Sequence, residues 1–319
     1  MKVGELMAIT KENLDTIEIG RENLVSLKTM GNVFEICYLE KTNRTITTQL
    51  IDKDHYIDLN TGEVFECNHI DNRAESKFQV GQSLKRLRDY INTNVVDTNK
   101  CKWITLTYAK NMQDTKQLYK DFQKFMQKLK YQYKDYKIEY ITACEPQARG
   151  AWHMHLILIF DRVAPFIPNA TIEKLWDKGF TKTNKLDNID NIGAYLTAYL
   201  GDMELTQENL QELEKNGLKM ANIEIKQVNE IENIKLKEPK SFIKGGRLYM
   251  YPPNFNLYRI SRGIKKPIKE YLSYHVAKEK IGCTKPTYTK GIKISDTDNS
   301  FNNTIIYEYY NTKRKSKKV

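Results

Sequence analysis

In Trp152 to Phe160 (WHMHLILIF), the apolar positions divide into two sets. Successive strand side chains point to opposite faces. Trp152, Met154, Leu156 and Leu158 therefore share one face, and His153, His155, Ile157 and Ile159 share the other. CKWITLTY (101–108) divides in the same way, with Trp103, Thr105 and Thr107 against Ile104, Leu106 and Tyr108. A strand at about 137–146 (KIEYITACEP) precedes the first, joined to it by the short loop Gln147-Ala148-Arg149-Gly150, which predicts a hairpin. Between 101–108 and 137–146 the period changes. Leu118, Phe122, Phe125, Met126 and Leu129 recur at helical spacing, which predicts a helix over about 114–133 with those residues in the core.

Residues 33–66 read as short strands with a turn at Asn60-Thr61-Gly62. Residues 73–92 read as a basic helix interrupted or kinked near Gly81. A short helix holding Trp176 follows Pro168. A loop with Lys182 and Lys185 leads to a helix over about 189–200, stopped at Gly201. Residues 204–240 are highly charged and read as helical, and 242–267 return to strand-like alternation around Pro252-Pro253. No internal repeat occurs. The pattern is α+β, a central antiparallel sheet with flanking helices and accessory N- and C-terminal segments. The expected organisation is 1–97 as an accessory region with the basic helix, 98–205 as the central domain, 206–311 as a second accessory region, and 312–319 as a basic, solvated tail.

Composition narrows the partners. Across 319 residues, Lys plus Arg number 51 and Asp plus Glu 40, a formal net charge of +11. A basic surface rich in aromatics suits a polyanion such as nucleic acid, or is simply a solvated surface. Five cysteines, widely spaced and without a CxxC, argue against a disulfide framework or a cysteine zinc site. No apolar stretch follows the Lys of MKVGELMAITKENLD, and the longest apolar run is far too short to span a bilayer. A cytoplasmic protein without a membrane partner is expected.

The histidine pair changes the picture most. Two imidazoles on one sheet face can share a metal ion, and Glu145 lies across the hairpin from them. Two nitrogens and one carboxylate, with positions left for substrate oxygens, suit Mn²⁺ or Mg²⁺ in a phosphate-handling site. The bland alternative is two partly buried, hydrogen-bonded histidines and an exposed strand-end glutamate. Tyr195 and Tyr199 share a helix face and are candidate nucleophiles, although Tyr136 and Tyr140 show the same spacing.

His153-Met154-His155, KWITLTY (102–108) and IGAYLTAYLGD (192–202) together resemble the HUH endonuclease superfamily, in particular rolling-circle replication initiators of bacterial plasmids, phages and integrative elements. The resemblance covers about residues 100–202. KGGRLYMYPPNFNLYRISRGIKKP, further on, is also similar to a segment of such initiators. The resemblance implies a ferredoxin- or RRM-like nuclease fold and a metal held by His153, His155 and Glu145. It implies that Tyr195 attacks single-stranded origin DNA to leave a 5′-phosphotyrosyl link and a free 3′-OH, with Tyr199 available for a second transfer. A host polymerase would extend that end, and a host helicase would unwind the duplex, since no GxxxxGK[ST] motif is present. Oligomers would be compatible with this. Many relatives carry a lysine three residues after the tyrosine, where this chain has Ala198; Lys182 or Lys185 would have to substitute.

Candidate DNA contacts are Arg149 on the hairpin loop, Arg73, Lys85 and Arg86 on the basic helix, Lys182 and Lys185, and Arg247, Arg259 and Arg262, each against a solvated alternative. Two other functions compete. A histidine-triad nucleotide hydrolase shares the first two histidines, but Ile157 takes the third place. A DNA-binding regulator with a vestigial site would share the charge and the fold.

Overall fold

A computed structural model describes residues 10–42, 45–147, 149–184, 186, 193, 197, 200–215, 224–231, 234–296 and 301–313. The chain forms two compact units, Met1–His69 with Lys266–Val319, and Ile70–Lys265. This division differs from the expected spans. The basic helix and the segment up to residue 265 belong to the same unit as the central strands.

The Ile70–Lys265 unit is built on an antiparallel sheet of β1 (Cys101–Thr107), β2 (Ile138–Pro146), β3 (Trp152–Phe160), β4 (Thr181–Asn184) and β8 (Tyr258–Ile260), in the order β4-β1-β3-β2-β8. On one face lie α2 (Thr115–Gln132) and α3 (Asn169–Trp176). Their apolar stripes, with Leu118, Phe122, Phe125, Leu129, Ile172 and Trp176, pack against Ile104, Leu106, Met154, Leu156 and Leu158. Asp114 caps α2, its carboxylate accepting from the Lys116 and Gln117 amides, which satisfies donors the helix leaves open. On the other face α1 (Lys77–Asn94) lays Leu87 and Ile91, one turn apart, on Trp103, Ile141, Ala143 and Ile157. The alternation read from WHMHLILIF is therefore the division between two cores.

Beyond the sheet, α4 (Gln207–Lys215) is followed by a small antiparallel sheet of β5 (Met203–Glu204), β6 (Ile225–Ile231) and β7 (Ile234–Ile243), in the order β5-β7-β6. The other unit carries a six-stranded antiparallel sheet. In spatial order it is Thr10–Asn13, Tyr288–Ser295, Asn302–Asn311, Val33–Leu39, Leu24–Met30 and Ile268–Ser273, with a helix at Tyr274–Ile281. A three-stranded sheet, Thr48–Leu50, His55–Asp58 and Val64–Glu66, turns at Asn60-Thr61-Gly62, where Gly62 has φ +74°. Among the described residues no helix is long and apolar enough to cross a membrane.

Three sequence expectations are corrected. The basic helix is not broken at Gly81, which lies inside α1 with open space where a Cβ would stand; the change of form comes earlier, where a 3-10 turn at Arg73–Ser76 passes into α1. The charged segment 204–240 is helical only over α4. Its second part is strand, because IEIK (223–226) and IKLK (234–237) alternate apolar with charged residues at a period of two. Residues 242–267 form mostly turns, with a 3-10 turn at Leu248–Met250 and the short β8. The helix expected at 189–200 lies largely outside the described residues. Within it, Gly193 and Thr197 are helical, and the Thr197 hydroxyl donates to the Gly193 carbonyl at 2.8 Å.

Candidate metal centre

The pairing of β2 with β3 sets Glu145 directly opposite His153 and Ala143 opposite His155. All three polar side chains emerge on the α1 face. They converge. His153 Nε2 lies 3.2 Å from Glu145 Oε2, His155 Nε2 lies 3.3 Å from the same oxygen, and the two nitrogens are 2.9 Å apart. Glu145 is buried, not an exposed strand end. Three electron-rich atoms aimed at one point repel unless a proton or a cation lies between them. Metal bonds of about 2.1 Å at right angles would separate neighbouring donors by about 3 Å, close to these distances. The donor set fits a hard or borderline divalent ion, and among the described residues it is the only such cluster.

The other carboxylate oxygen is also held. Glu145 Oε1 accepts from Arg247 Nη1 at 2.9 Å and from the Gly201 amide at 3.3 Å. Two donors on Oε1 leave Oε2 to face the histidines. Burial pushes the Glu145 carboxyl up, but hydrogen bonds with His153 and His155 outweigh it and hold the group well below the ordinary carboxylate range. Burial also pushes the His153 imidazole down, opposed by Glu145 and reinforced by the charges of His155 and Arg247. The resulting state is an ionised Glu145 partnered by Arg247, beside an uncharged His153 with a lone pair to offer.

Gly201 and Arg247 are brought to Glu145 by a second glycine turn. The Arg247 amide donates to the Gly201 carbonyl at 2.9 Å, and the Gly245 amide to the Asp202 carboxylate at 2.8 Å. Gly201 (φ +82°) and Gly245 (φ +67°) both sit in the left-handed region that favours glycine. Sequence reasoning listed Arg247 as a DNA contact and missed its place beside Glu145. The signal was KGGR (244–247), a glycine pair followed by a cation.

The remaining candidates scatter. Arg149 donates to the Tyr108 and Ala109 carbonyls and to Gln147 Oε1 at 3.3 Å, so it ties the hairpin loop to the end of β1. Arg73 is half-buried and donates to the Phe255 carbonyl at 2.8 Å. Arg259 lies on the opposite face from the histidines, its guanidinium 3.2 Å from the Tyr119 ring centre. Arg73 and Arg259 are thus engaged in packing rather than grouped with the histidines. Lys85 is half-buried on α1, Arg86 is exposed there, and Arg262 is exposed in the turn after β8. Lys182 is exposed on β4, opposite Thr105, which in turn pairs with His155. Tyr195, Tyr199 and Lys185 lie outside the described residues.

Residues 101–204 match the family model of replication-associated protein ORF2. The matched segment contains Glu145, His153, His155 and Gly201, and in sequence both Tyr195 and Tyr199. The match supports a role in DNA replication, as a replication initiator. No curated protein and no solved structure matches the chain.

Proposed function

We propose that the protein is a rolling-circle replication initiator of the HUH type, a metal-dependent nickase and ligase of single-stranded origin DNA. The observation that carries the reading is the convergence of Glu145, His153 and His155 inside the segment that matches replication-associated proteins. These residues would hold Mn²⁺ or Mg²⁺. When bound, such an ion withdraws charge from a phosphate and makes its phosphorus a better electrophile. The chain supplies the rest. Arg247 and Gly201 fix one oxygen of Glu145, and the register of β2 and β3 fixes the other donors. Tyr195 attacks: its oxygen bonds to phosphorus, the P–O3′ bond breaks, and the leaving 3′ oxygen takes a proton. One phosphodiester is exchanged for another, so no nucleoside triphosphate is consumed. Tyr199 is the candidate for a second transfer that releases the displaced circle. Host helicase and polymerase would be the partners.

Covalent capture tests this. The protein is incubated with a random single-stranded DNA library and Mn²⁺, then denatured in SDS. The expected result is DNA that stays with the wild type and is lost in Tyr195→Phe or in Tyr199→Phe. DNA binding without any adduct, across a well-covered library, would favour a binding regulator instead.

A further inference from the structure

Phe180 is a large apolar residue left 63% exposed next to the charged site. Its position follows from the sheet. The Thr107 amide donates to the Phe180 carbonyl at 2.9 Å, extending the β4–β1 ladder by one residue beyond Thr181 opposite Leu106. Phe180 thus stands opposite Thr107, which stands opposite His153, which stands opposite Glu145. Neighbouring strands are about 4.8 Å apart, so Phe180 lies roughly 10 Å from His153 along one row of the sheet. Thr181 turns to the α3 face, where its hydroxyl donates to Asn169. By alternation Phe180 and Lys182 turn to the histidine face. The backbone leading there is tightly set: a Cβ on Gly179 would fall 2.4 Å from the Ala109 nitrogen and 2.5 Å from the Thr107 oxygen.

An exposed aromatic ring and an exposed lysine, two residues apart beside an anion-handling site, match the way single strands are bound. A base stacks on the ring while cations track the backbone. The chain's excess of basic residues agrees with a polyanionic occupant. We propose that Phe180 is a stacking platform for one base of the single-stranded substrate, with Lys182 beside the adjoining phosphate. The inference rests on the proposed action on single-stranded DNA, and it adds a residue that orients the strand across the sheet toward Glu145, His153 and His155.

The test uses the full chain in EDTA, so that cleavage does not intervene. All three native tryptophans are buried, so Phe180→Trp places a single exposed reporter at the site. Tyr131→Trp, at the far end of α2 on the other face and 84% exposed, is the control. Titration with an unlabelled mixed-sequence single-stranded oligodeoxynucleotide should quench the indole introduced at position 180 and leave the one at the control position unchanged. By anisotropy with a labelled oligonucleotide, Phe180→Ala should bind roughly 5- to 150-fold more weakly, the loss of one base–aromatic stack, and Phe180→Tyr should retain affinity. Tight binding with neither quenching at position 180 nor loss in Phe180→Ala would overturn the stacking role alone. A wild type that binds no single-stranded DNA would overturn both this inference and the function on which it rests.

Discussion

Along β3, Met154, Leu156 and Leu158 are at most 1% exposed, whereas the side chains of His153 and His155 between them retain 17% and 20% exposure. One face of the sheet is sealed by α2 and α3 with apolar contacts alone at these positions. The other is covered by α1 only at the Trp103–Ile157 end, and it leaves Glu145 and the histidines beyond the apolar cluster. A single strand therefore carries packing and chemistry on alternate residues. The comparison teaches that the two tasks separate cleanly in a strand, because a one-residue step changes the face.

Substitutions on the two faces should have opposite signatures, and the largest effect on folding belongs to the sealed face. Leu156→Ala should cost about 2–5 kcal/mol in urea unfolding, yet leave the Mn²⁺ affinity of the folded protein unchanged. On the other face Arg247→Met should cost about 2–3 kcal/mol, since it strands a buried carboxylate; partial exposure of Arg247 keeps this below the ~3–5 kcal/mol of a fully buried pair. An Arg247→Met protein as stable as the wild type would mean that the Glu145–Arg247 contact contributes little. His153→Ala should change stability by less than about 1 kcal/mol, because it deletes a group that is neither an apolar contact nor a partner of Arg247.

Acid should sharpen the contrast. His153 and Glu145 both have folded pKa values lowered from 6.5 and 4.5, the values of the unfolded chain. As pH falls, the unfolded chain takes up protons first, so the stability these groups contribute is present above those values and is lost below them. The urea midpoint should drop as pH is lowered from neutral through 6.5 and again through 4.5, and His153→Gln should flatten the upper part of that curve. The smallest effect is one the two faces share. Burial pushes the thiols of Cys101, on the α1 face, and Cys144, on the α2 face, up to about 12. Exposed Cys283 should alkylate with iodoacetamide well before either, as read by peptide mass.

Much of the central sheet was legible because its signals are local. The alternation in WHMHLILIF and CKWITLTY and the helical spacing from Leu118 to Leu129 each lie within one element. The Glu145 pairing was legible because a short hairpin fixes register. What escaped depended on long-range contacts. Arg247 reaches Glu145 across 102 positions, and only the folded glycine turns at 201 and 245 bring it there. Arg149, Arg73 and Arg259 look like any basic residue in sequence, whereas each is spent on a carbonyl or an aromatic ring. The strands at Tyr288–Ser295 and Asn302–Asn311 went unread, although GIKI and TIIYEYY carry strand-forming residues, because their pairing partner at Val33–Leu39 lies far upstream. Gly81 misled in the other direction: a glycine on an exposed helix surface weakens a helix without ending it.

The most direct test of the account is Mn²⁺ binding, followed by the loss of the free-ion electron paramagnetic resonance signal on titration with protein. The account predicts one ion per wild-type chain, full binding in the folded fraction of Leu156→Ala, and none at that affinity in a folded His153→Ala/His155→Ala chain. A wild type that binds no Mn²⁺, or a double variant that binds as the wild type does, would contradict the metal centre.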